Sequence, residues 1–312
     1  MRNRMVAGID FYNQRSDRNT PTVTLPAINF KRPGPAYNNF NADKVDSAAA
    51  RAPFSIYRTN QFTYSAYVSN VLNITPQLNV MLSIRADRYV DKGTYYPAQD
   101  STVGAFEQTA FSPKLGIVYE LLPGQLSFFG NYMNGFNNLG GQDFSGVGFK
   151  PQQANQWEGG IKVDMFNHRL SSTISYYNID VTNMTREDLD HPGFSLQDGT
   201  QASKGIEAEV IANPVKGLNI VAGYTYNDSK YKRSDKTVEG LRPATAGPQH
   251  LANWWLSYRF LSGKVKGLGV GVGAIMAAVP SRPTPLHSSL PFLPIPYSMP
   301  RCITTVDLTG LA

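Results

Sequence analysis

Apolar and polar residues alternate along most of this chain. Within 157–164, the odd-numbered positions include Trp157, Ile161 and Val163, and the even-numbered positions include Glu158, Lys162 and Asp164. Successive side chains of a strand point to opposite faces, so this spacing predicts a strand with one apolar and one polar face. Similar alternation, with varying clarity, predicts ten more strands in 5–12, 57–72, 78–87, 114–121, 126–133, 169–183, 204–210, 218–227, 252–260 and 268–276. Helical periodicity is nearly absent, so the pattern indicates an all-β protein.

The connections between the predicted strands alternate in length. The short ones contain Pro, Gly or Asn, as tight turns require, and span 74–77, 122–125, 167–169, 213–217 and 262–266. The long ones span 15–52, 91–109, 136–152, 185–202, 228–248 and 280–302. This alternation places every short turn at one end of an antiparallel up-and-down meander. It is typical of transmembrane β-barrels, whose strands need roughly 9–11 residues to cross a bilayer.

Composition excludes several other classes of protein. A single cysteine, Cys302, excludes a disulfide scaffold, and 41% hydrophobic residues argue against disorder. The longest apolar stretch, 268–279, has 12 residues, whereas a membrane helix needs about 20. The net charge is +6, but the basic residues are scattered, so no nucleic-acid partner is expected.

Several segments resemble TonB-dependent outer-membrane receptors, in particular those for ferric siderophores. The segments are WEGGIK at 157–162, SKGIEAE at 203–209, GYTY at 223–226, PQHLANWW at 248–255 and GLGVGVG at 267–273. The order and spacing of these segments together indicate the family more specifically than any single segment does. The resemblance covers most of 1–279 and returns at 303–309, where a twelfth strand is expected.

The resemblance implies that 1–312 is a partial barrel. Barrels of this family have about 22 strands, of which about 12 are expected here. No signal peptide and no plug domain are visible in the sequence, so we expect an incomplete barrel, a fragment of a longer receptor. Segment 280–302 is atypical, because seven prolines in 280–300 exclude a strand. A Pro-rich outer loop and a frame-shifted stretch both explain it.

The resemblance also implies a function, which is uptake of a ferric siderophore across the outer membrane of a Gram-negative bacterium. The iron would be carried by the ligand, so no cofactor is expected. The implied partners are the siderophore, outer-membrane lipid and lipopolysaccharide, and the TonB–ExbB–ExbD complex, which would act through an N-terminal region not seen here. Three alternatives stay open: a passive porin-like protein, an outer-membrane enzyme and a soluble lipocalin-like barrel.

Two sets of residues are candidates for function. Aromatic and basic side chains on the long-loop side are expected to bind the chelate, as the resemblance implies: Tyr95, Tyr96, Phe136, Phe144, Arg186, Tyr231 and Arg233. Charged residues at non-lipid strand positions are expected to face the lumen or a plug: Arg85, Glu158, Lys162, Glu207 and Glu209. Glu207 and Glu209 also have the spacing of an acid–base pair, but a charged wall is the favoured interpretation. No catalytic constellation and no metal-ligand spacing are found.

Overall fold

The computed structural model describes residues 2–21, 46–47, 50, 54–278 and 301–307. It contains thirteen strands: β1 (Arg2–Pro21), β2 (Phe54–Asn73), β3 (Leu78–Tyr96), β4 (Ser101–Val103), β5 (Phe106–Leu122), β6 (Leu126–Asn137), β7 (Gln152–Met165), β8 (Leu170–Glu187), β9 (Ser195–Ala212), β10 (Leu218–Arg233), β11 (His250–Arg259), β12 (Gly269–Ala278) and β13 (Arg301–Asp307). Among the described residues, no helix is both long enough and apolar enough to cross a membrane.

The strands form one antiparallel meander in chain order. The order is β1-β2-β3-β5-β6-β7-β8-β9-β10-β11-β12-β13, and the short β4 pairs only with β3. The predicted all-β class and the eleven alternating strands are confirmed. The twelfth strand is also confirmed, at Arg301–Asp307, and pairs with β12. Residues 279–300, which hold nearly all of the Pro-rich segment, lie outside the described part of the chain.

The strands are longer than the alternation predicted. β3 has 19 residues, β8 has 18 and β10 has 16, whereas the predicted runs were 10, 15 and 10 residues long. Their long-loop ends lose the apolar/polar alternation but keep the backbone ladder, as the pairing of Lys204 with Asn178 and Asp228 shows. Much of the connection predicted at 91–109 is therefore strand.

Contacts divide the chain into two compact units. Unit 1 comprises Met1–Gly8, Ala66–Ala86 and Ala110–Ala312, and unit 2 comprises Ile9–Ser65 and Asp87–Thr109. Within unit 2, Ser65 Oγ donates to the buried Asp87 carboxylate at 2.6 Å, and Gln61 Nε2 donates to Asp91 at 2.8 Å. Side-chain hydrogen bonds thus join β2 to β3 in addition to the backbone pairing of the two strands.

One face of unit 1 is a continuous apolar band. The ladder sets Ile174 beside Ile161 and Ala208, and Tyr176 beside Ile206. Its exposed members, which we call the apolar face, are Phe128, Trp157, Ile161, Ile174, Tyr176, Ile206, Tyr224, Trp254, Leu256 and Met276. A contiguous exposed apolar band marks a surface that contacts lipid or protein.

The opposite face of unit 1 is polar. Glu207 lies between Ser175 and Thr225, and Glu209 lies beside Thr173. The residues of this polar face include Ser127, Asn131, Glu158, Lys162, Thr173, Ser175, Glu207, Glu209, Thr225 and Asn253. One polar and one apolar face on strands of this length is the pattern of a membrane barrel wall.

Candidate functional site

Four charged side chains form a cluster at the long-loop end of unit 1. The guanidinium of Arg186 donates to both oxygens of Asp198, at 2.6 and 3.0 Å, and to Asp235 at 2.9 Å. Arg233 contacts Asp198 at 3.3 Å. Arg186 is the second-last residue of β8, Asp198 lies in β9, and Asp235 lies in the connection after β10. This arginine–aspartate cluster therefore fastens two long connections to each other.

The two arginines favour the charged form of Asp198. The hydrogen bond from Arg186 lowers the pKa of Asp198, with further lowering from the charges of Arg186 and Arg233. The same hydrogen bond raises the pKa of Arg186. Because the pKa of Asp198 is lower in the folded chain, its stabilising effect is complete above its unfolded pKa of about 3.9. It is lost as the pH falls through the folded pKa, so the cluster weakens below about pH 4.

The variant Asp198→Asn should loosen both connections at neutral pH without affecting the strands. It removes charged hydrogen bonds worth about 1.5 kcal/mol or more, so trypsin cleavage within 230–236 should be about tenfold faster. The control is Asp190→Asn, an exposed neighbour with the same charge change and no ion pair among the described residues. Equal cleavage rates in the two variants would show that the cluster does not fasten the connections.

Three rings form an aromatic cluster beside these charges. Phe144 stacks on His191 with centroids 3.8 Å apart, and Phe194 meets Phe144 edge-on at 5.2 Å. Asp188, which is only 3% exposed, contacts His191 Nδ1 at 2.9 Å, and this hydrogen bond lowers the pKa of Asp188. Phe144 comes from the connection after β6, and the others come from the connection after β8. The aromatic cluster thus joins these two connections.

The structure adds two anchoring residues that the sequence pattern did not indicate. Arg242 donates to the backbone oxygen and to Oδ1 of Asn227, each at 2.9 Å, and Asn227 in turn donates to Tyr177 Oη at 2.8 Å. Gln197 binds the backbone of Lys150 through both atoms of its amide. Both contacts join residues far apart in sequence, so no local motif could reveal them.

The candidate ligand residues do not all come together. Only Phe144 lies in a loop, and the other six lie in the long-loop parts of β3, β6, β8 and β10, because those strands extend further than predicted. Arg186 and Arg233 share Asp198, and Tyr231 lies two residues before Arg233. Phe144 stacks on His191, whose ring contacts Asp188, two residues after Arg186 in the sequence.

The remaining candidates are placed differently. Phe136 pairs with Gln153 and lies on the same face as Tyr132 and Trp157, which is the apolar face. Tyr95 and Tyr96 belong to unit 2. The rings of Tyr96 and Tyr57 are tilted by 36°, with centroids 6.2 Å apart. Tyr95 donates to Asp100, and this hydrogen bond raises the pKa of Tyr95.

The candidate wall residues include three carboxylates that line one recess of the polar face. Glu158, Glu207 and Glu209 are among the twelve residues that line this recess, whose volume is about 330 Å³. Lys162 lies over the ring of Phe129 at 5.1 Å, and Arg85 lies over Tyr67 at 5.8 Å. Among the described residues, no group of three or more His, Cys, Asp or Glu side chains is placed to hold a metal ion.

Residues 2–283 match the family described as TonB dependent receptor-like, beta-barrel. The chain belongs to this family. Barrels of TonB-dependent receptors lie in the outer membrane of Gram-negative bacteria, and the apolar face of this chain has the character that such a location requires. Members of the family are receptors and transporters.

Curated relatives carry names of metallophore and siderophore receptors. The ferrichrome outer membrane transporter/phage receptor of Escherichia coli is 28% identical over 272 residues, which is 86% of this chain and 35% of that protein. The ferrioxamine B receptor of Salmonella typhimurium is 33% identical over 144 residues, 46% of this chain and 20% of that protein. The metal-pseudopaline receptor CntO of Pseudomonas aeruginosa is 22% identical over 286 residues, 87% of this chain and 38% of that protein.

Solved structures share the fold. BauA, the ferric preacinetobactin receptor of Acinetobacter baumannii, superposes with a TM-score of 0.69 at 20% identity over 88% of this chain and 40% of that one. Fiu, the ferric-catecholate import receptor of Escherichia coli, superposes with a TM-score of 0.66 at 20% identity. The match covers 88% of this chain and 41% of that one. The chain thus spans well under half the length of the proteins it matches.

Proposed function

We propose that this chain is part of the barrel of an outer-membrane receptor that captures a ferric siderophore for TonB-dependent uptake. The observation that carries the proposal is the joining of three long connections by the arginine–aspartate and aromatic clusters. Both clusters lie at the long-loop end of a sheet that has one polar and one apolar face. In such barrels the long loops are extracellular, so the joined connections would form part of the outer mouth. The names of the relatives support the ligand class.

The polar face would line the lumen and meet a plug. Within the described part of the chain, none of Glu158, Glu207 and Glu209 forms an ion pair, although the three share one recess. Carboxylates grouped in this way repel one another unless basic groups approach them. In the intact receptor, basic side chains of a plug would supply those groups. The TonB–ExbB–ExbD complex would supply the energy that moves the plug, so the barrel itself needs no cofactor and no catalytic group.

The apolar face would contact outer-membrane lipid and lipopolysaccharide. Lys204 lies two residues from Ile206, and both side chains are on the same face. On the neighbouring strand β10, Lys230 pairs with Asp228 of the same strand, and Lys232 pairs with Asp180 of β8. The exposed Lys204, for which no ion pair is found among the described residues, supplies an ammonium group directly beyond the apolar band that would suit a phosphate of lipopolysaccharide.

Binding of ferric chelates to the refolded chain tests the proposed function. We expect at least one of ferrichrome, ferrioxamine B and ferric pyoverdine to quench its tryptophan fluorescence, with a Kd about tenfold lower than that of the same siderophore without iron. Phe144→Ala should weaken this binding about tenfold through the loss of an aromatic contact. Phe128→Ala, on the apolar face near a short turn, is the matched control and should leave Kd unchanged. If no ferric chelate in the panel binds, the proposed function is wrong.

A further inference from the structure

The long connections of unit 1 are close to electrically neutral. Residues 136–152, 185–202, 228–248 and 280–302 together contain nine basic and eight acidic residues, for a formal charge of +1 with histidine neutral. The connection 185–202 alone has one arginine against four carboxylates. To attract a highly charged anion, the outer mouth of the barrel needs an excess of basic groups. The attraction of a ligand that is still approaching from solution depends on the net charge of the mouth.

Four of the basic side chains in these connections are also neutralised locally. Arg186 is held by Asp198 and Asp235, and Arg233 shares Asp198, so two guanidinium groups meet two carboxylates. Lys232 pairs with Asp180, and Lys230 pairs with Asp228 at 3.1 Å. The hydrogen-bonding capacity of Arg186 is used within the protein, and it has little left for a ligand.

The surface beside these ion pairs is apolar. Phe144 is 54% exposed, and Val147, in the same connection, is 61% exposed. Leu189 and Phe194, from the connection after β8, are 64% and 40% exposed. Phe144 and Phe194 are in contact, so the two connections present adjoining apolar side chains. A ligand that covers them would gain from burial of apolar area and needs no charge to do so.

We propose that this mouth favours a ferric chelate with little or no net charge, such as a tris-hydroxamate, over a ferric tris-catecholate. The proposal rests on the proposed function and adds the ligand class. Iron(III) carries three positive charges, which three singly charged hydroxamates cancel. Three doubly charged catecholates leave three negative charges, which these nearly neutral connections would not attract and which the four carboxylates of 185–202 would repel. A neutral chelate meets no such repulsion, and its carbon framework can cover the exposed Phe144 and Phe194.

The test compares two hexadentate chelates on the refolded 312-residue chain in lipid nanodiscs. Ferrichrome is the neutral tris-hydroxamate probe, and ferric enterobactin is the triply negative tris-catecholate probe. At about 10 mM salt the Debye length is about 30 Å. Under these conditions the Kd for ferrichrome should be at least about tenfold lower than the Kd for ferric enterobactin. The difference should narrow at about 0.15 M salt, where the screening length falls to about 8 Å.

A charge-reversal variant separates electrostatics from shape. Glu187→Lys changes an exposed residue of the acidic connection, and Glu120→Lys makes the same change beside a short turn. Glu187→Lys should lower the Kd for ferric enterobactin about fivefold and change the Kd for ferrichrome by less than about twofold. Glu120→Lys should change neither Kd. Circular dichroism confirms that both variants fold.

The outcomes distinguish the two levels of the proposal. If wild type binds ferric enterobactin as tightly as ferrichrome, or if Glu187→Lys has no selective effect, the neutral-chelate inference is overturned while the receptor function stands. If neither chelate nor any other ferric siderophore binds, the proposed function fails and the inference fails with it.

Discussion

Replacing Ile174 with arginine should lower the free energy of unfolding in a lipid bilayer by about 2–4 kcal/mol. Ile174 lies within the apolar face, flanked by Ile161 and Ala208 on the neighbouring strands, and is 53% exposed. At this position the guanidinium would enter the hydrocarbon region, where no water is present to solvate it. The measurement is a guanidinium chloride titration of the chain in phospholipid vesicles.

The matched control is the same substitution one residue earlier. Thr173 lies on the polar face between Glu209 and Lys162, so Thr173→Arg places its charge between a carboxylate and an ammonium group, whose effects largely cancel. We expect a change within about 0.5 kcal/mol. Equal losses in the two variants would mean that the apolar face does not face lipid.

Replacing Gly205 with alanine should cost about 1–3 kcal/mol, the usual range for overpacking. A Cβ there would overlap the backbone oxygen of Tyr226 and the ring of Tyr177, which lies across this position and is only 7% exposed. Tyr177 Oη also accepts the hydrogen bond from Asn227, so moving the ring would disturb the anchoring of Arg242. Denaturant unfolding measures the loss, and trypsin cleavage within 230–236 should also accelerate.

Gly135→Ala is the control for this prediction. Gly135 lies in β6, and a Cβ there would have no heavy atom within 4 Å. Its replacement should be neutral or stabilise the chain slightly, because alanine restricts the unfolded backbone. If both glycines tolerate alanine equally, Tyr177 is not fixed over Gly205.

Several features of the fold could be predicted because they depend on local sequence. Two-residue alternation through Trp157 and Ile161 identifies both the strand and its two faces, since a strand has a period of two. Turn residues such as Pro76 and Gly263 separate one strand from the next. The alternation of short and long connections then gives the antiparallel order, which the structure confirms.

The candidate site was less predictable, for a physical reason. Above the apolar band, strands no longer need alternating polarity, so their length at the long-loop end is set by pairing with neighbours. The sequence therefore placed Phe136 among loop residues, whereas it lies in β6 on the apolar face. Arg186 was selected for its charge, but its carboxylate partners come from other segments.

The sequence by itself determined the all-β class, the order of the strands and the residues on each face of the sheet, because these follow from the period of a strand and from turn chemistry. Only the tertiary structure decided which long connections are joined. The contacts between Arg186 and Asp235, Phe144 and His191, and Arg242 and Asn227 link residues 15–49 positions apart in sequence. Such contacts depend on strand register and loop path, which no short-range pattern specifies.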